Sequence, residues 1–284
     1  MQTSPRVDAH HHVWDLTQRD QEWTIGLPAL RRSFSMDDLV PQLKECGVVA
    51  TVVVQTVNLA EETPELLCLA EECSWIVGVV GWVDLRAPSV RDQLDELSQL
   101  PGGEHLVGIR HVVQSELDPN WLRHPNNLRG LRAVGQAGLV YDVLIHHDQI
   151  ESAVIAAQTL PEVKFVIDHC GKPPIADGHL EPWQRGMTEL ARCENVAVKL
   201  SGLVTEADND NWSVSDLRPC AEIVLDLFGS ARVMFGSDWP TCQTAATYRD
   251  VVVAARELTS ELSADEIDDV FGRTAIRWYR LEVS

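Results

Sequence analysis

The chain has 284 residues, 45% of them apolar, enough to bury a substantial core and close to the roughly 250 residues of one α/β barrel. A net charge of −20, from 23 Lys and Arg against 43 Asp and Glu, argues against nucleic acid as a partner, and no apolar run reaches the roughly 20 residues of a membrane span. Seven cysteines, odd in number and without C-x-x-C, indicate neither a disulfide framework nor a zinc ribbon, and the opening Met-Gln-Thr-Ser-Pro-Arg lacks an apolar secretory core, so a cytoplasmic protein is expected.

Along the chain, β-branched runs begin near Val7, Val49, Ile76, Leu106, Leu139, Val163, Val196 and Arg232. Their mean spacing, about 32 residues, is the length of a βα unit. The stretches Val48–Val54 and Lys164–Ile167 are almost wholly apolar, as strands buried on both faces of a parallel sheet must be. Between them lie helix signals. Pro41 requires the first helix to start near Asp37 or Asp38, so that the proline falls in the opening turn. Thr63-Pro64 reads as an N-cap followed by a proline at the first helical position. Pro125 opens a helix that Gly138 stops, and Ser215 precedes another that ends at Gly229. Ser263 and Glu266 form a capping box. The polar, Trp-containing inserts at 15–34 and 203–216 are expected to arch over the barrel mouth. No Gly-rich nucleotide loop follows any strand. These elements predict a single (β/α)8 TIM barrel spanning residues 1–284.

In such a barrel the reactive groups come from the C-terminal ends of the strands. Strand 1 ends in Asp8-Ala9-His10-His11-His12-Val13-Trp14. Alternation puts His10 and His12 on one side, about 7 Å apart along the strand, where they can grip a metal ion or a carbonyl oxygen, and leaves His11 a structural role. Strand 6 ends in Asp168-His169-Cys170-Gly171-Lys172-Pro173, and strand 8 in Phe235-Gly236-Ser237-Asp238-Trp239-Pro240. Singly, His169 reads as a satisfied core histidine and Asp238 as a helix cap; with the strand-1 pair they form a candidate catalytic set. Arg110 at the end of strand 4 is a candidate for binding a hydroxyl or carboxylate. Gln55, Trp14, Trp82 and Trp239 also fall at strand ends, where indole faces and hydrogen-bonding groups suit a sugar ring, though each Trp equally suits core packing.

The set DxHxH, Gly108–Gln114, DHxGKP, Lys199-Leu200-Ser201-Gly202 and GSDWP, in that order over nearly the whole chain, resembles the amidohydrolase superfamily. Within it the resemblance is closest to the sugar-lactone hydrolases of the L-fuconolactonase and L-rhamnonolactonase kind, which Val204–Asp208 also resembles. The resemblance implies a lactonase that opens an aldonolactone. Asp238 would activate water as general base, and His10, His12 and His169 would surround the carbonyl and the emerging oxyanion. Binuclear relatives carry a carboxylated lysine at the end of strand 4; the four lysines here are Lys44, Lys164, Lys172 and Lys199, so a binuclear site is disfavoured. Two states stay open: one divalent ion, zinc, on His10, His12 and Asp238 with His146 as an added ligand, or a site that works without metal. A neutral sugar lactone fits better than a dicarboxylate, which would call for several arginines. Rival readings are a metal-dependent decarboxylase of the aminocarboxymuconate type, requiring zinc and His146, and a non-catalytic barrel that binds sugar acids.

Overall fold

Each of the eight expected strands forms, starting within two residues of its predicted start. The computed structural model describes residues 4–283. The strands are β1 (Val7–His11), β2 (Ala50–Val54), β3 (Ile76–Gly81), β4 (Leu106–Val112), β5 (Val140–Leu144), β6 (Phe165–Ile167), β7 (Val196–Leu200) and β8 (Val233–Phe235). All pair in parallel, in the order β1 to β8. The ring closes just past β8, where the His12 N–H donates to the Trp239 carbonyl at 2.6 Å and the Asp238 N–H donates to the His10 carbonyl at 2.8 Å. The expected TIM barrel is therefore the observed fold, and its closure brings strand 1 against the segment carrying Asp238.

Strand 1 contains a feature that simple alternation does not predict. Asp8 pairs with Thr51 and His11 with Val53, so three steps on β1 match two on β2. The extra residue is a bulge. Val7 and Ala9 pack in the barrel interior, and strict alternation would turn His10 away from them. The bulge resets the phase, so His10 and His12 both face inward at the mouth.

Helices cover the outside of the barrel, and their starts correct three expectations. The first, Met36–Cys46, begins a residue early on a reciprocal Ser35–Asp38 cap, leaving Pro41 beyond the opening turn. Thr63 lies inside the helix Glu62–Glu72 instead of capping it. Its hydroxyl accepts from the Trp82 N–H at 2.8 Å, tying the helix to the end of β3. The helix Val214–Phe228 starts at Ser213, paired with Asp216, two residues before the expected cap; an acidic residue three positions on makes Ser213 the better cap. The helix Pro125–Gln136 and the Ser263–Glu266 cap form as predicted. At the bottom of the barrel Trp278, Tyr279 and Leu281 plug the interior beneath Val52, Val80 and Val166. All seven cysteines are free. Among the described residues no helix is long and apolar enough to cross a membrane.

Candidate active site

His10, His12, His169 and Asp238 converge at the C-terminal mouth. Asp238 Oδ1 lies 3.8 Å from His10 Nε2, 3.5 Å from His12 Nε2 and 3.9 Å from His169 Nε2. The two strand-1 imidazoles stand edge-to-face, with their Nε2 atoms 3.2 Å apart. His12 Nδ1 donates to the Val54 carbonyl at 2.7 Å, and His169 Nδ1 is 2.9 Å from the Ser201 hydroxyl. His169 (φ 51°) and Asp238 (φ 55°) both hold a left-handed backbone. For a residue with a Cβ this costs about 1–2 kcal/mol, a strain that collects at functional sites.

A cavity of about 850 Å³ opens above these groups, and His12, Arg110, His169 and Asp238 form part of its wall. The two inserts supply much of the rest: Trp23 and Leu27 from 15–34, and Thr205, Glu206 and Asn209 from 203–216. They close over the mouth as expected. The size suits a small cyclic substrate.

Below the cavity floor lies a network of buried charges. The Lys199 ammonium, fully buried, is 2.5 Å from Asp142 Oδ2, 3.0 Å from Asp168 Oδ1 and 3.0 Å from His10 Nδ1. Arg110 donates to Asp168 Oδ2 at 3.1 Å and to the Gln55 carbonyl. The Tyr279 hydroxyl donates to Asp142 Oδ1 at 2.8 Å, which joins the network to the bottom plug. Two cations thus face two carboxylates, the arrangement that buried charges require.

The environment sets the ionisation of the upper groups. Burial raises the Asp238 pKa, but His169, His12 and His10 outweigh it and hold the carboxyl well below the usual range. Burial lowers His169 to about 4, and burial with the Lys199 charge holds His10 well below its usual value. At neutral pH the site therefore pairs a carboxylate base with neutral imidazoles at His10 and His169. One ligand atom each from His10, His12 and Asp238 lie within 4.8 Å of one another, so this donor set also fits a single divalent cation.

Several predicted site residues stand elsewhere. His146 is exposed on the turn after β5, with its backbone N–H on Gln149 Oε1, and is not among the clustered ligands. The chain leaves the barrel at Leu144, two residues too soon for His146 to reach the axis. Trp239 is fully buried behind Asp238, edge-on to Phe34, because the neighbour of an inward residue faces outward. Trp14 packs on Phe34 and Trp23 and donates to the Arg32 carbonyl, beside a separate cavity of about 400 Å³. Trp82 donates to His111 Nδ1, and His111 stacks on Trp121. Gln55 is buried and donates to the Arg110 carbonyl at 3.1 Å. None of these five lines the large cavity. His11 is structural, as expected, held by the Thr51 hydroxyl at 3.0 Å. Sequence reading passed over Trp23, the only tryptophan among the described cavity-lining residues, and the roles of Lys199, Asp142 and Asp168.

Comparison with known proteins supports the same fold and places the chain in a family. A family model described as amidohydrolase matches residues 7–281. L-fucono-1,5-lactonase of Burkholderia ambifaria is 36% identical over 282 residues, covering 98% of this chain and 96% of that protein. L-fucono-1,5-lactonase of Burkholderia multivorans is 37% identical, with 97% and 96% covered. The crystal structure of a Burkholderia multivorans amidohydrolase with bound zinc superposes with a TM-score of 0.93 at 35% identity, over 98% of this chain and all of that one.

Proposed function

The chain belongs to the amidohydrolase family, and from that premise we propose that it is a hydrolase of carboxylic ester bonds that opens a neutral sugar lactone, L-fucono-1,5-lactone or a close relative, to the free aldonic acid. The observation that carries the reading is the Asp238 carboxylate in the cavity wall, within 3.9 Å of three imidazoles and held in its basic form. The full-length likeness to two L-fucono-1,5-lactonases supports the substrate class. The barrel is taken as the chain's one domain, which the match over 7–281 supports.

Asp238 removes a proton from a water as that water attacks the lactone carbonyl. The oxyanion that develops faces the cluster of His10, His12 and His169; His12 spends its Nδ1 proton on the Val54 carbonyl, so the donor from the cavity wall is Nε2–H of His169, whose Nδ1 accepts from the Ser201 hydroxyl. The tetrahedral intermediate then collapses, the bond to the ring oxygen breaks, and Asp238 returns its proton to that oxygen, leaving a hydroxyl and a carboxylic acid. A divalent ion, zinc as in the Burkholderia multivorans amidohydrolase, would be held by His10, His12 and Asp238 and would polarise the carbonyl. A neutral substrate fits the charges in the wall: Arg110 is committed to Asp168, and Lys172 lies 3.5 Å from Glu206. With His146 exposed, the decarboxylase reading loses the ligand it needs, and a silent binding barrel would have no use for the base.

Hydrolysis of L-fucono-1,5-lactone, followed with a pH indicator, tests the reading. Asp238→Asn is expected to lower kcat/KM by about 10²–10⁴-fold, the contribution of a positioned base, with the far-ultraviolet circular dichroism unchanged. Turnover within tenfold of the parent removes Asp238 from the role of base.

A further inference from the structure

We propose that Asn58 is a specificity-determining residue: in the wall of the large cavity, its carboxamide Nδ2 donates a hydrogen bond to one ring hydroxyl of the bound lactone. The identity of the ligand rests on the lactone reading; the open donor is a property of the folded chain alone.

Asn58 lines the cavity from the loop that follows β2. That loop is pinned at both ends. Glu62, buried in the first turn of its helix, accepts from the Thr56 N–H at 2.9 Å, the Val57 N–H at 3.0 Å and the Thr56 hydroxyl. The second anchor comes from β4, whose Val112 N–H donates to Asn58 Oδ1 at 3.0 Å. A backbone N–H only donates, so this contact settles which end of the carboxamide is oxygen. The other end, Nδ2, carries two protons.

Those protons meet no acceptor among the described residues. The neighbour at Nδ2 is His111 Nε2, 3.4 Å away. The Trp82 indole N–H donates to His111 Nδ1 at 3.0 Å, so Nδ1 accepts and the ring proton sits on Nε2. Glu116 Oε1 takes that proton at 2.7 Å. His111 Nε2 is therefore a donor already in use and cannot accept from Asn58. The Glu62 carboxylate is likewise spent, on Thr56 and Val57. A ligand that covers Asn58 displaces its water, so it must supply an oxygen or leave a donor unpaired. Glu62 and Glu116 lie close by, each one hydrogen-bonded residue away, so a neutral hydroxyl is favoured there over an anionic group. Position separates this role from the chemistry. Val54, the last residue of β2, gives its carbonyl to His12, whereas Asn58 comes after the strand has ended. Asn58 is thus assigned to a substituent of the ring, while His12, His169 and Asp238 surround the carbonyl.

The experiment compares L-fucono-1,5-lactone with its singly deoxygenated ring analogues, on the native chain and two variants. Asn58→Asp keeps an oxygen for the Val112 N–H and removes both donors; Asn58→Ala removes the donors without adding charge. The native chain is expected to turn over one analogue with a kcat/KM about tenfold lower, the worth of one neutral hydrogen bond. Each variant is expected to raise KM for the parent lactone about tenfold, to keep kcat within about threefold, and to lose nothing further on that one analogue. An equal loss on every substrate overturns the proposal and leaves Asn58 a purely structural residue. A kcat lower by about 10²-fold with KM unchanged also overturns it, since that is the mark of an oxyanion donor. Calorimetric titration with the hydrolysis-resistant 1,5-lactam and its deoxy analogues reads the same coupling without turnover. If the lactams bind with that coupling but no lactone is opened, the hydrolase reading fails and the Asn58 assignment stands. If lactones are opened without the coupling, the assignment alone fails; if nothing is bound or opened, both fail.

Discussion

Gly202 offers a way to move one imidazole of the candidate site without touching it. The residue holds φ at +67°, and a Cβ built on it would stand 2.8 Å from the Cβ, Cγ and Nδ1 atoms of His169. Gly202→Ala would therefore meet two costs. A side chain in the left-handed region loses about 1–2 kcal/mol. The forced contact adds about 1–3 kcal/mol of overpacking, because the His169 ring is buried and held by Ser201. The total, about 2–5 kcal/mol, should appear as a lower urea midpoint with an unchanged slope. The cheapest relief is for the ring to swing away from Gly202, which carries Nε2 off its place beside Asp238 Oδ1. A shift approaching 1 Å costs about 10²-fold in rate, so kcat should fall by that order while KM changes little. Urea titration and lactone hydrolysis measured on one preparation separate the two effects. Combining Gly202→Ala with His169→Asn should cost no more activity than His169→Asn alone, since both act through one ring. A stable, folded Gly202→Ala with kcat within threefold of the parent, or additive losses in the double variant, would refute the idea that this glycine holds the imidazole in place.

Three further expectations follow from the same geometry. Exhaustive chelation, with removal verified by metal analysis, should leave lactone hydrolysis within about tenfold of the untreated enzyme, because the neutral His169 imidazole already stands in the cavity wall as a donor; loss beyond about 10²-fold that zinc restores would show the cation to be essential. The kcat/KM profile should have no acid limb above about pH 5, since Asp238 stays ionised and His169 takes its proton only as the pH falls through about 4; an inflection near pH 6 to 7 would contradict this. His11 is lowered by burial from 6.5 to about 3, so its contribution to stability is full above 6.5 and is lost as the pH falls toward 3; His11→Gln should flatten the decline in unfolding free energy between pH 6 and 4 by about 1.4 kcal/mol per pH unit relative to the parent, and parallel declines would argue against a neutral buried His11.

The barrel was legible in the sequence for a physical reason. Strands such as Val48–Val54 are buried on both faces, so they stand out as β-branched runs with no polar partner residues, and their spacing gives the βα count. The clustering of His10, His12, His169 and Asp238 was legible because a barrel brings its strand ends to one mouth, and these residues interrupt the apolar runs there. Tryptophan was a poorer guide. Bulk and apolarity suit an indole equally to the core and to a sugar face, so Trp14, Trp82 and Trp239 could not be told from Trp23, which lines the cavity from a polar insert. The bulge in β1 left no mark either: it sits in Ala9 and His10 with no glycine to flag it. Nor did the left-handed backbone at His169 and Asp238, which strain elsewhere would ordinarily forbid.

The buried charge network failed to register for a different reason, and here a usable signal was present. Lys199 and Asp142 are 57 positions apart on separate strands, so no local spacing relates them. Yet Lys199 sits within Val196–Leu200, a strand otherwise made of Val, Ala, Val and Leu and buried at every position. A lysine is almost never fully buried without a partner. With only four lysines in the chain, one inside a barrel strand demands carboxylates at the same height on other strands. Asp142, inside β5, and Asp168, just past β6, are the acids so placed. Lys199 Nζ and Asp168 Oδ1 both stand beside Nδ1 of His10, at 3.0 and 3.3 Å. A buried cation that reads as a structural oddity in the sequence is thus one member of a neutralised cluster packed directly against the His10 imidazole.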